Sequence, residues 1–236
     1  MDKQSISQRT SSSKMILSLG LISMLSGFLV VFVFHLTLEP IEKNKRELIE
    51  KSVFKVVPGG EIRRNFFVTA KELLTEKQEG SIPIYAVYDK KGQLKGIAAE
   101  AAAQGYADMI RLLYGYSPSC QCITGISVIK TAETPGLGDK IITDEIFLEN
   151  FIALDAKLNY EGKGLKNAIV TVKHGDKTAP WQIDAISGAT VSSKAVGKAL
   201  NDSAQILLPI LQAHIEKLSS VQGIQKYNAI KLRGQP

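Results

Sequence analysis

The sequence has few of the residues from which metal centres and disulfide frameworks are built. Its 236 residues include two cysteines and three histidines. Two cysteines are too few for a disulfide framework, and a self-contained zinc or iron–sulfur site needs about four ligands. His35, His174 and His214 are far apart in the chain and lack the spacing of a metalloprotease helix. We therefore predict no metal site within this chain.

Motifs for nucleotide binding, acyl transfer and nucleic-acid binding are missing as well. Residues 136–140 contain glycines and a lysine, without the spacing of a phosphate-binding P-loop or the third glycine of a dinucleotide-binding turn. Residues 115–119 lack the final glycine of a nucleophile elbow. The net charge is +6, but acidic residues are interspersed with the basic ones, so we predict no nucleic-acid surface. We name no catalytic residue.

The two cysteines, Cys120 and Cys122, form a C-x-C pair that leaves three interpretations open. They could be ordinary thiols in a loop, a local disulfide, or ligands of a metal shared with a partner protein. Cysteines two positions apart form a disulfide only with distorted geometry. The spacing alone does not choose among the three.

A long apolar run stands near the start of the chain. Residues 15–34 carry no charge, and about 20 residues are enough for a helix to cross a bilayer. A cleaved signal peptide would have a shorter apolar core followed by a small-x-small site. We therefore predict an uncleaved transmembrane helix over residues 15–36. Three basic residues and one acidic residue precede it, so the positive-inside rule places the N-terminus in the cytoplasm.

The rest of the sequence favours a single α+β domain. Its pattern predicts strands over 82–88, 93–99, 123–130, 168–173 and 182–183, and a helix, broken or kinked at Pro209, over 191–218. Because strands and helices do not alternate regularly, we predict a mixed or antiparallel sheet with flanking helices. The predicted organisation is a cytoplasmic N-terminus (1–14), a transmembrane helix (15–36), a helical connector (37–80), a ligand-binding domain (81–220) and a C-terminal tail (221–236).

One short motif indicates ligand chemistry. Residues 184–190 read Asp-Ala-Ile-Ser-Gly-Ala-Thr and precede a helix-compatible stretch, which predicts a strand, a tight turn and a helix start. Gly188 and Ala189 let the backbone approach a ligand closely, and free amides at a helix N-terminus favour a phosphate. Lys194 would add positive charge about one turn further on. The alternative interpretation is a helix cap with no ligand.

A second segment has the character of a ligand-contacting loop. Residues 133–138 read Glu-Thr-Pro-Gly-Leu-Gly and follow the strand predicted over 123–130. Proline and two glycines make a rigid loop with few side chains, which can lie against a flat aromatic ring. Leu137 would then provide an apolar contact, and Thr134 could bond the ring edge. Taken alone, the segment is also compatible with an ordinary turn.

Together these segments resemble the FMN-binding domain family. The motif at 184–190 resembles the family's flavinylation motif at every defined position. The loop at 133–138 resembles a signature shared by the G subunit of the Rnf complex and the C subunit of the sodium-pumping NADH:quinone reductase. Residues 105–110 resemble a further family segment in which an aromatic, here Tyr106, lies near the cofactor. Ala107 stands where the family more often has glycine.

The resemblance implies a cofactor and a set of residues that hold it. It implies FMN joined by a phosphoester to Thr190, transferred from FAD by a flavin transferase. The implied recognition sequence consists of Asp184, Ser187, Gly188 and Ala189. The remaining implied cofactor-binding residues are Glu133, Thr134, Pro135, Gly136, Leu137, Gly138, Tyr106 and Lys194.

The resemblance also implies a function. It indicates an electron-transfer subunit of a membrane-bound, ion-translocating ferredoxin:NAD⁺ oxidoreductase (Rnf) complex, which is not catalytic alone and has the other membrane subunits and the lipid bilayer as partners. The FMN-binding domain would lie outside the cytoplasm, anchored in the inner membrane. Residues 139–141 favour the Rnf protein over its quinone-reductase relative. The alternatives are that relative, a stand-alone extracytoplasmic flavoprotein, and a scaffold whose flavin site is vacant.

Overall fold

The computed structural model describes residues 12–70 and 72–219, and the chain divides into two compact units, residues 1–47 and 48–236. Helix α1 (Ser12–Val56) provides the described part of the first unit and the start of the second. By length and composition its apolar part could cross a membrane, and none of that window is buried within the protein. This supports association with a membrane. The predicted C-terminal tail, residues 221–236, lies outside the described residues.

The second unit is built on a seven-stranded antiparallel sheet. Its strands are β1 (Ile62–Val68), β2 (Leu73–Leu74), β3 (Ile82–Tyr88), β4 (Leu94–Gln104), β5 (Met109–Ser117), β6 (Cys122–Lys130) and β7 (Leu154–Asp155), in the spatial order β2-β1-β3-β4-β5-β6-β7. Two more strands, β8 (Val170–Val172) and β9 (Gln182–Asp184), pair in parallel. The helices are α2 (Lys140–Thr143), α3 (Glu145–Glu149) and α4 (Thr190–Leu218). The predicted α+β class, with an antiparallel sheet and flanking helices, is confirmed.

Both faces of the sheet are covered, because successive residues of a strand point to opposite faces. On one face, Ala99 and Tyr114 belong to the main core, together with the buried stripe of α4. On the other face, Ala98 and Leu113 pack with Val53 and other residues at the end of α1. The sheet therefore lies between α4 and the last turns of α1.

Glycines in the sheet accommodate the end of α1. A Cβ atom at Gly115 would overlap the Val56 carbonyl oxygen, and one at Gly96 would lie 2.8 Å from Val57 Cγ1. The Thr124 hydroxyl donates a hydrogen bond to the Val56 carbonyl at 2.6 Å. Close approach of backbone to backbone therefore requires glycine here, and the helix end is held by a specific hydrogen bond.

A buried hydroxyl pair joins α4 to the centre of the sheet. Tyr114 Oη lies 2.9 Å from Ser203 Oγ, and the Tyr114 side chain is completely buried. Burial raises the pKa of Tyr114 to about 12, because the phenolate would lose its hydration. The phenol therefore stays neutral at physiological pH and keeps its hydrogen bond to α4.

The structure differs from the expectations in three places. The helical connector expected over 37–80 is helical only to Val56, and strands β1 and β2 follow within it. Strand β5 has no counterpart among the predicted strands. Helix α4 runs through Pro209 without a break, so of the two predicted alternatives, a broken or a kinked helix, the broken helix is wrong.

Cys120 and Cys122 are joined in a disulfide, which is one of the three interpretations of their spacing. Between them Gln121 has φ 51°, the left-handed region that side-chain-bearing residues rarely adopt. Cys120 is exposed and Cys122 is buried. A crosslink that closes so short a loop removes little unfolded-state entropy, so we expect it to shape the β5–β6 turn locally rather than to stabilise the whole domain.

Alkylation tests the disulfide directly. In protein denatured without reductant, iodoacetamide should add no mass to the chain, and after reduction it should add two carbamidomethyl groups. The variant Cys120→Ser is the control, because its single remaining thiol should be alkylated without reductant. Two additions to unreduced wild-type protein would contradict the crosslink.

Candidate functional site

Three segments of the second unit meet around a cavity of about 420 Å³. They are the turn between β4 and β5, the loop that follows β6, and the first turn of α4. The cavity is lined by Tyr106, Glu133, Thr134, Leu137, Gly138, Gly188, Ala189, Thr190, Val191 and Ser192. Its volume lies within the range of small-molecule binding sites, roughly 300–1,000 Å³.

The N-terminus of α4 opens into this cavity. Thr190 is the first residue of the 29-residue helix, and the preceding Ala189 provides no side-chain cap. The first backbone N–H groups of a helix have no partner within it and carry the positive end of the helix dipole. Thr190, which lines the cavity, therefore lies beside a set of amides suited to an anion.

A tight turn over residues 186–189 precedes Thr190. The Ala189 amide donates to the Ile186 carbonyl at 3.0 Å, and Gly188 has φ +81°, which glycine adopts without strain. Ser193, a fully buried residue of α4, reaches back to this turn. Its hydroxyl accepts from the Ile186 amide at 3.1 Å and donates to the Ala189 carbonyl at 2.9 Å. Ser193 therefore holds both ends of the turn from inside the helix.

The loop after β6 forms the facing wall. The Thr134 carbonyl accepts hydrogen bonds from the amides of Leu137 and Gly138, each at 3.1 Å. The Leu137 side chain is 51% exposed and that of Tyr106 is 74% exposed, although both line the cavity. Large apolar side chains exposed at a cavity rim are typical of a site that receives an aromatic ligand.

Glu133 is the buried acidic residue of the site. Its side chain is 6% exposed. Oε1 accepts a hydrogen bond from the Ala107 amide at 3.0 Å, and Oε2 accepts one from the Ser192 hydroxyl. Through these bonds Glu133, which belongs to the loop after β6, contacts both the β4–β5 turn and α4.

Most of the residues expected at the site line the cavity, and five do not. Asp184 and Ser187 line a separate cavity of about 270 Å³, together with Lys140 and His174. Pro135, Gly136 and Lys194 line neither cavity. Val191 and Ser192 line the main cavity without having been expected there. Their position in the first helical turn, directly after Thr190, is the signal that could have indicated them.

Asp184 has local structural partners. Its Oδ1 accepts from the Gly175 amide at 2.8 Å, and its Oδ2 lies 3.4 Å from His174 Nδ1. Its backbone amide donates to Asn150 Oδ1 at 3.0 Å, and Asn150 also accepts from Lys177 Nζ at 2.8 Å. These contacts hold Asp184 at the end of the strand that enters the motif, outside the main cavity.

The comparisons with known proteins agree with this geometry. The FMN-binding domain family matches residues 105–205, which contain all three segments of the site. The G subunit of the Na⁺-translocating ferredoxin:NAD⁺ oxidoreductase complex of Acetobacterium woodii is 32% identical over 69% of this chain and 71% of that protein. The G subunit of the ion-translocating oxidoreductase complex of Haemophilus influenzae is 31% identical over 86% of this chain and 92% of that protein.

Solved structures share the fold. NqrC of Shewanella oneidensis superposes with a TM-score of 0.59 at 19% identity, covering 75% of this chain and 98% of that chain. The C subunit of the Na⁺-translocating NADH-quinone reductase of Parabacteroides distasonis gives a TM-score of 0.56 at 19% identity, covering 78% of this chain and 98% of that one. At this identity the likeness shows a common fold.

Replacing Ser193 tests the turn that presents Thr190. Ser193→Ala leaves the buried Ile186 amide without its acceptor, which costs about 1–3 kcal/mol. We expect a lower melting temperature and faster hydrogen exchange at the Ile186 amide. Ser187→Ala, which removes an exposed hydroxyl from the same turn, is the matched control and should change neither quantity. Equal behaviour of the two variants would show that Ser193 does not hold the turn.

Proposed function

We propose that this chain, which belongs to the G-subunit family of ion-translocating oxidoreductase complexes and contains an FMN-binding domain, is an electron-transfer subunit that carries covalent FMN in such a complex. The observation that carries the proposal is the position of Thr190. It lines the cavity at the uncapped N-terminus of α4, within the span that matches the FMN-binding domain.

The residues around the cavity fit FMN. The amides at the start of α4 suit a phosphate, and Gly188 leaves open space where a side chain would otherwise stand. Thr134 and Gly138 would face the ring, with Leu137 and Tyr106 as apolar contacts at the rim. When bound, FMN supplies the capacity to accept two electrons and to release them one at a time. The chain provides position, electrostatics and partial exclusion of water.

We assign the attachment to the Thr190 hydroxyl. In the proposed maturation step a flavin transferase catalyses attack of this oxygen on the FMN phosphorus of FAD. A new phosphorus–oxygen bond forms, the pyrophosphate bond of FAD breaks, AMP leaves, and the hydroxyl proton is released. Asp184, Ser187, Gly188 and Ala189 complete the sequence that the transferase recognises, and Lys194 adds positive charge one turn further along α4.

The proposed membrane arrangement follows from the sequence of α1 and its flanks. In this arrangement the apolar part of α1 anchors the chain, and the positive charges before it favour a cytoplasmic N-terminus. The FMN-binding domain then lies outside the cytoplasm, where a covalent bond keeps the cofactor from diffusing away. One membrane helix in the described residues offers no ion path, so the other membrane subunits would transport the ion.

The C subunit of the sodium-translocating NADH:quinone reductase is the alternative assignment. The likeness to the solved structures of that protein is at 19% identity and shows the fold alone. The relatives at 31–32% identity are G subunits, which favours the first assignment.

In-gel flavin fluorescence tests the attachment. Wild-type protein co-expressed with a flavin transferase should fluoresce after denaturing electrophoresis, because a phosphoester survives unfolding. Thr190→Val keeps the shape of the side chain and removes the nucleophilic oxygen, so we expect folded protein with no fluorescence.

A second threonine of the same cavity provides the control for this experiment. Thr134→Val should retain fluorescence close to that of the wild type, because Thr134 lines the same cavity but the proposal places the phosphoester on Thr190. Fluorescence retained by Thr190→Val would refute the assignment of the attachment residue.

Labelling from outside the cell tests the orientation. In a background with both cysteines replaced by serine, Tyr160→Cys introduces a thiol at a fully exposed position of the second unit. A membrane-impermeant maleimide should label it in intact spheroplasts. Ser5→Cys, before the membrane helix, should be labelled only after lysis. The reverse pattern would place the domain in the cytoplasm.

A further inference from the structure

A single carboxylate holds the three walls of the cavity together. Glu133 belongs to the loop after β6, and its two oxygens accept hydrogen bonds from Ala107 in the β4–β5 turn and from Ser192 in α4. Each of these three segments also contributes lining residues to the cavity. Displacing the Glu133 side chain would therefore loosen all three walls at once.

Two glycines leave the space that this carboxylate occupies. A Cβ atom at Gly105 would overlap Glu133 Oε1, and a Cβ atom at Gly138 would lie 2.6 Å from Glu133 Oε2. Neither glycine has a positive φ, so neither is required by its backbone conformation. The space that they leave is occupied by Glu133, which explains the need for small residues at both positions.

Within the described part of the chain, the carboxylate has no cationic partner. Both of its oxygens act as acceptors, and no lysine, arginine or histidine of the described residues lies within 4.0 Å of them. A buried carboxylate without a countercharge is costly, and stability alone would favour an apolar residue here. A charge in a partly desolvated wall acts strongly on whatever occupies the cavity.

We propose that Glu133 is the positioning residue of this site and that its negative charge lowers the midpoint potential of the flavin held there. The hydrogen bonds hold the three walls of the cavity in position relative to one another before the cofactor is attached. The charge opposes the negative charge that electron uptake adds nearby, so it makes the flavin harder to reduce. The first role is independent of the proposed function, and the second rests on it.

The positioning role is tested in the full chain carrying Thr190→Val, so that no flavin is attached. Hydrogen exchange at the Ala107 amide should become about tenfold faster or more when Glu133→Ala is added, as expected for the loss of a hydrogen bond to a charged acceptor. Glu133→Gln should keep the slow exchange, because its carbonyl can accept from Ala107 and its amide can donate to the Ser192 hydroxyl. Unchanged exchange in Glu133→Ala would overturn this role.

The charge role is tested in protein loaded with flavin by a transferase. Glu133→Gln should retain the flavin and shift its midpoint potential upward in a spectroelectrochemical titration. Asp108→Asn is the matched control, because Asp108 lies in the same β4–β5 turn but is half exposed and paired with Lys130. It should leave the potential unchanged.

The outcomes separate this inference from the proposed function. A flavin-loaded Glu133→Gln protein with an unchanged potential would overturn the charge role and leave the function standing. Wild-type protein that acquires no flavin would overturn both the function and the charge role. The exchange measurement on the Ala107 amide would still decide the positioning role.

Discussion

The packing of α4 against the sheet is the constraint on which the rest of the structure depends. The apolar stripe of this helix, including Leu200 and Leu207, is buried in the main core, and the Tyr114–Ser203 hydrogen bond sets its position along the sheet. A helix held in this way has its N-terminus at a defined place. The cavity is therefore built where the start of α4 meets two loops of the sheet, and it needs no mobile element to form it.

Two opposite electrostatic features meet in this cavity. The uncapped start of α4 attracts an anion to Thr190, whereas the carboxylate of Glu133 is negative and lies in the adjoining wall. In the proposed function the two features act on different parts of the cofactor. The helix N-terminus holds the phosphate, and the carboxylate influences the potential of the ring. Both are fixed by hydrogen bonds to backbone or to buried hydroxyls, so their geometry is set before the cofactor is attached.

Local patterns in the sequence predicted the parts of the fold that local forces determine. The β3–β4 hairpin, β6, β9 and α4 follow from alternation, turn residues and helical periodicity. Strand β5 is buried on both faces over most of its length, so its sequence shows no alternation from which a strand could be predicted.

The hydrogen bonds of Glu133 could not be predicted from the sequence, because its partners Ala107 and Ser192 lie 26 and 59 positions away in the chain. The placement of Asp184 beside a separate cavity likewise depends on tertiary contacts with Asn150 and His174.

The most direct test of the account is localisation of the flavin by tandem mass spectrometry. Trypsin should release the peptide spanning residues 178–194, which contains Thr190 and four other hydroxyl-bearing residues, from protein matured with a flavin transferase. The account predicts one FMN phosphoryl group on this peptide, with fragment ions that place it on Thr190. An unmodified peptide from protein matured in this way, or a flavin on any other hydroxyl, would contradict it.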